Sequence, residues 1–174
     1  MTRIRPITLA LLAAAFTLSP LAAHAATHST TTAFTAHLSG SQMNPARLTN
    51  AVGEAKFTLS PDGSQLGFRV NVSNIENVVA AEIRLGPAGS DGPVVATLYG
   101  PVAPGGGKAT GTLAQGTVIA SSLSGPLAGQ PLSALIDAMH SQSVFVIIRT
   151  DNGTNPLDLK PGNFPNGEIR GQVK

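Results

Sequence analysis

Three features of this sequence predict an all-β fold: an antiparallel Greek-key sandwich or barrel of about eight short strands with one small helix. Apolar and polar residues alternate with period two in segment after segment, as half-buried strands require. Turn formers punctuate these segments, 19 glycines and 13 prolines in 174 residues, which leaves little room for long helices. Only one stretch repeats its apolar residues at helical spacing.

The first strand places Phe34, Ala36 and Leu38 on one side and Thr35, His37 and Ser39 on the other, and Gly40 ends it. After a loop through Asn44, Pro45 and Asn50, a second strand alternates Ala55, Phe57 and Leu59 with Glu54, Lys56 and Thr58. Ser60-Pro61-Asp62-Gly63 is a hairpin signal, because proline presets φ at the first central turn position and glycine accepts positive φ. The third strand answers with Leu66, Phe68, Val70 and Val72 inward. Asn74 to Asn77 reads as a short turn into a fourth strand, Val78 to Leu85, with Val79, Ala81, Ile83 and Leu85 inward.

Pro87 and Pro93 lack the N–H that a ladder needs, so Gly86 to Pro93 is an expected loop before a strand at Val94 to Tyr99. Gly100 to Gly107 is a second loop, and Lys108 to Val118 a weakly patterned strand. The helix falls near 131–140, where Pro131 suits a first helical position and Leu132, Leu135, Ile136 and Met139 form one stripe. Ser143 to Thr150 is nearly continuously apolar from Val144 to Ile148, the mark of a strand covered on both faces. The loop Asp151 to Asn166 leads to the last strand, Gly167 to Val173, where Glu168, Arg170 and Gln172 alternate with Ile169, Gly171 and Val173.

Residues 1–25 read as a cleaved secretory signal: Arg3 and Arg5, an apolar run from Ile7 to Leu18, and small residues Ala23 and Ala25 before the cut. The run is shorter than the roughly 20 residues a membrane span needs, so no span is expected after cleavage. A polar leader, 26–32, then precedes a single domain, 33–174. Removing 25 of 174 residues leaves 149, the size of one domain with one core. Two of the 11 Lys and Arg leave with the signal, so nine cations face nine carboxylates and the mature charge is near zero. With no basic cluster, a nucleic-acid partner is not expected. Cysteine is absent, which excludes thiol catalysis, thiolate metal sites and disulfides. The destination this implies is periplasmic or secreted.

The ordered fragments resemble the CHRD, or chordin-type, domain family. They are F-x-A-x-L-S-G from Phe34 to Gly40, G-x-A-x-F-x-L from Gly53 to Leu59, L-x-F-x-V from Leu66 to Val70, the Ala80 to Val95 block AAEIRLGPAGSDGPVV, and P-x-G-E-I-R-G-Q from Pro165 to Gln172. The resemblance implies an exported all-β domain that looks like an immunoglobulin or superoxide-dismutase sandwich. It also implies histidines, in an A-A-H-I-H block and a later V-H-T, where this chain has Glu82, Arg84 and Arg149. Two histidines on one strand face with a third from the next strand would suit zinc or copper. A guanidinium stays protonated and cannot be a ligand.

Glu82 and Arg84 share a strand face, as do Glu168 and Arg170. With Arg149 nearby, two carboxylates and three guanidiniums would form a mixed ion-pair network in place of a histidine patch. The alternative is five separately solvated charges worth little. A spare cation there would also receive a carboxylate, a sulfate or a sugar acid. Asp151, Asn152, Asn155 and Asp158 offer oxygens to calcium, but without the spacing of a calcium loop they read first as turn formers. Asn71-Val72-Ser73 and Asn152-Gly153-Thr154 match the glycosylation sequon, relevant only in a eukaryotic secretory path. No nucleophile elbow, zinc-protease helix or phosphate-binding loop is present.

The resulting expectation is a non-enzymatic binding or structural module without a cofactor. Its partner would be an unidentified protein or a small anionic or carbohydrate ligand, met at the loops 86–93, 100–107 and 151–166. The alternative is a copper- or zinc-binding, superoxide-dismutase-like protein.

Overall fold

The computed structural model describes residues 32–154 and 158–174. The expected signal at 1–25, nearly all of the leader and three residues of the last loop therefore lie outside the described residues.

The strands are β1 (Ala33–Ser39), β2 (Val52–Leu59), β3 (Leu66–Glu76), β4 (Val78–Leu85), β5 (Val94–Tyr99), β6 (Lys108–Val118), β7 (Val144–Thr150) and β8 (Ile169–Gln172), with helix α1 at Leu132–His140. They form one antiparallel sheet in the order β5-β4-β7-β8-β1-β2-β3-β6, rolled into a nearly closed barrel. β8 and β1 come together where Ser39 faces Arg170 and Thr35 exchanges backbone hydrogen bonds with Lys174 at 2.8 and 2.9 Å. Gly171 permits that approach, because a Cβ there would strike the His37 carbonyl.

Phe34, Ala36 and Leu38 of β1 face Phe57, Ala55 and Gly53 of β2, so the alternation in sequence becomes one buried layer. The turn after β2 closes by Gly63 N–H to the Ser60 carbonyl, with Gly63 at φ +70°. Asp62 accepts from the Ser60 and Ser64 hydroxyls and the Ser64 N–H, and these bonds hold its carboxyl down at about 2. Helix α1 begins at Leu132, one residue after Pro131, and inserts Leu132, Leu135, Ile136 and Met139 into the same core.

Two expectations are corrected. The turn predicted at Asn74 to Asn77 is a continuing strand: Ile75 is buried and pairs with Ala109, and the corner is the single residue Asn77. Asn74 and Asn77 both take φ 54°, a left-handed conformation asparagine tolerates, so two turn-like residues mark a bulge and a corner. In β4 the core takes Val78 where Val79 was expected, because the β4–β7 ladder shifts register between Val78 and Ala80. The weak pattern of β6 has a related cause, two register shifts against β3 and a position at the sheet edge.

β7 is covered on both faces, as its continuous apolar run predicts. Val144, Val146 and Ile148 join the main core, while Phe145 and Ile147 pack on Met43 outside the barrel. That outer face carries the candidate site.

Candidate functional site

Register across β4, β7 and β8 decides which charges meet. Glu82 stands opposite Ile147, and Ile147 opposite Arg170; in the next row Arg84 faces Phe145, and Phe145 faces Gln172. Side chains alternate, so all of these share the outer face.

Glu82 is nearly buried and uses both carboxylate oxygens. Its Oε2 accepts from Arg84 Nε at 2.9 Å and Nη2 at 2.7 Å, and its Oε1 lies 2.9 Å from Arg149 Nη2. The side chains are 9%, 23% and 28% accessible for Glu82, Arg84 and Arg149, so water screens this triad only in part. The positions at which the family resemblance implies histidines therefore converge, as two neighbours on one strand and one from the next. The donor set does not fit a metal, because a fully engaged carboxylate sits between two permanent cations. Among the described residues no three His, Asp or Glu side chains gather as a ligand set.

Arg170 and Glu168 do not join the triad, which corrects the five-charge expectation. Ile147 stands between Glu82 and Arg170, which are two strands or about 10 Å apart. Arg170 turns to the 86–93 loop: its guanidinium lies 3.5 Å above the Phe145 ring and donates to the carbonyls of Ser90 and of Pro87, the latter at 2.8 Å. Burial lowers its pKa, and the charge of Asp91 opposes that shift. Gln172 holds the same loop, its amide nitrogen lying 3.0 Å from the Gly86 carbonyl. Replacing Arg170 by methionine is expected to cost about 2–4 kcal/mol and to expose residues 86–93 to limited proteolysis; an unchanged cleavage pattern would show that the loop is held elsewhere.

Glu168 leaves the pleat because Gly167, at φ +122°, turns the chain just before β8. Its fully buried carboxylate accepts from Thr49 Oγ1 at 2.5 Å, Thr150 Oγ1 at 2.7 Å and the Gly162 N–H at 2.9 Å. Thr150 Oγ1 in turn accepts from the Phe164 N–H at 3.0 Å. Glu168 is thus a structural pin between three segments. The Gly167-Glu168-Ile169-Arg170-Gly171-Gln172 motif reads as a turn, a pin, a core residue, a loop clamp, a close backbone approach and a second clamp.

The other polar candidates make local bonds. Asp151 accepts from the Gly153 N–H at 2.7 Å and Asn152 from the Thr154 N–H at 2.8 Å, as turn formers do. Asp158 bonds Asn163 at 2.6 Å, and that bond, with help from Lys160, lowers its pKa; Asn155 lies outside the described residues. His37 is exposed beside Glu54, His140 packs edge-on against Phe34 at 4.9 Å, and His28 lies outside the described residues.

One residue escaped the sequence reading. Arg47 comes from the unpatterned segment between β1 and β2, with its guanidinium 5.0 Å from the centre of the Phe164 ring. With Arg84 and Arg149 it lines a cleft of about 340 Å³. Periodicity cannot find such a residue, because an irregular loop assigns no face.

Comparison with curated proteins and with solved structures finds no match. The family model described as the CHRD domain matches residues 34–173, from the first core residue of β1 to the first residue beyond β8. The motifs it spans are those that build the rolled sheet and the Glu82 triad, and this chain belongs to the CHRD domain family.

Proposed function

We propose that this protein is an exported, non-enzymatic CHRD module that works by binding or as a structural domain in the periplasm or beyond the cell. The observation that carries the reading is the Glu82 triad. Where the family resemblance implies a ligand set, Arg84 and Arg149 saturate the one carboxylate, leaving a surface suited to recognition by charge and hydrogen bonding. The Ser, His and Asp side chains described above are engaged in turns, packing or exposed faces, which supports the non-enzymatic reading. Export rests on the first 25 residues of the sequence.

Metal analysis of the purified protein tests this reading. The expected result is copper and zinc well below one per chain, unchanged by incubation with either ion and dialysis. Stoichiometric copper or zinc would overturn it in favour of a superoxide-dismutase-like protein.

A further inference from the structure

The cleft beside the triad has an excess of positive charge that no carboxylate among the described residues consumes. Arg47, Arg84 and Arg149 line it, against Glu82 beneath and the exposed Asp91 at its rim. Both oxygens of Glu82 are taken by Arg84 and Arg149. Among the described residues the Arg47 guanidinium has neither a hydrogen bond nor an ion pair, and its Nε and that of Arg149 are buried without an acceptor. Arg84 and Arg149 share Glu82, whereas among the described residues Arg47 has no carboxylate partner, so the wall of the cleft carries more positive than negative charge.

We propose that this cleft binds the carboxylate of a small hydroxylated acid of the uronic acid type, with Arg47 as its principal anchor. The inference rests on the reading of the chain as a binding module. A carboxylate meets the unpartnered Arg47, and Asp91 at the rim repels a dianion such as a phosphate ester more strongly than a monoanion. A planar carboxylate fits the fork of a guanidinium, and Arg47 is seated over the Phe164 ring with no acceptor for its guanidinium among the described residues. Arg84 retains Nη1 as a further donor, since Nε and Nη2 are both spent on Glu82.

The hydroxyl preference comes from the rest of the wall. About 340 Å³ is far more than acetate fills, and Asn44 and Asn166 border it. Asn44 donates its amide N–H to the Gly89 carbonyl at 2.7 Å, which orients its side-chain oxygen as an acceptor for a hydroxyl. A free sugar acid and the terminal residue of an acidic polysaccharide present the same chemistry.

Titration of the purified protein with D-glucuronate, glucose, acetate and a short uronate oligomer, followed by calorimetry and amide chemical shifts, tests this site. Glucuronate is expected to bind and to shift amides near Arg47, Arg84 and Arg149; glucose is expected not to bind, and acetate to bind more weakly. Arg47→Gln is expected to weaken glucuronate at least about tenfold. Asp91→Asn, an exposed change that spares the fold, is expected to tighten it about threefold by removing a competing charge. An oligomer that binds more tightly than the monosaccharide identifies a polymer end as the ligand, and equal affinity identifies the free acid. Absence of glucuronate binding, equal binding of glucose, or weakening by Asp91→Asn would overturn the proposal. Those outcomes in a metal-free protein would leave the module reading standing, whereas stoichiometric metal would remove that reading whatever glucuronate does.

Discussion

Glu168→Ala is expected to destabilise the protein by on the order of 3–5 kcal/mol, the largest loss from any single polar side chain described above. Three donors, two of them buried and one half-buried, would lose their acceptor at once: the Thr150 hydroxyl, the Gly162 N–H and the Thr49 hydroxyl. They belong to three different segments, so the change unties the approach to β2, the end of β7 and the turn before β8 together. At this chain length the loss corresponds to a fall in melting temperature of roughly 10 °C. Glu168→Gln keeps the shape but turns an N–H₂ toward donors, so a smaller loss of about 2 kcal/mol is expected. Denaturant unfolding of both variants measures the effect. A loss below about 1 kcal/mol for the alanine variant would mean that water replaces the carboxylate and that the pin is unimportant.

The second large effect is expected at Glu82. Glu82→Ala leaves Arg84 and Arg149 as unpaired, mostly covered cations, at an expected cost of about 2–4 kcal/mol. Replacing all three residues together by leucine or methionine is expected to be less damaging than that single change, because no orphan charge remains. Arg149→Leu alone is expected to cost about 1–3 kcal/mol, and a double-mutant cycle with Glu82→Gln to show coupling above about 0.5 kcal/mol. If Arg149→Leu leaves the melting temperature and fold unchanged, the three charges are separately solvated and the network does not exist. The contrast between breaking and removing the triad separates electrostatic coupling from simple packing.

The candidate site was only partly legible in the sequence. Period-two alternation puts Glu82 and Arg84 on one face and Glu168 and Arg170 on another, and that much is local geometry. Whether the two pairs meet depends on strand order: β7 lies between β4 and β8, so Ile147 separates the pairs and, of the charges on other strands, Arg149 alone reaches Glu82. Glu168 also departs from its expected face because one glycine at positive φ breaks the pleat. Arg47 was not legible at all, since its neighbours in the fold come from β4, β7 and the turn before β8, far away along the chain.

By itself the sequence determined the all-β class, nearly every strand, the position of the helix and the family, because each follows from alternation, turn chemistry or ordered motifs, all of which act over a few residues. Only the tertiary structure decided the close approach of β8 to β1 at Gly171, the register shifts that send Val78 into the core and carry β3 through Asn74, and the partition of five charges into a triad, a loop clamp and a buried pin. Those outcomes depend on which distant strands lie side by side and on single-residue changes of register, and a shift of one residue moves a side chain to the opposite face.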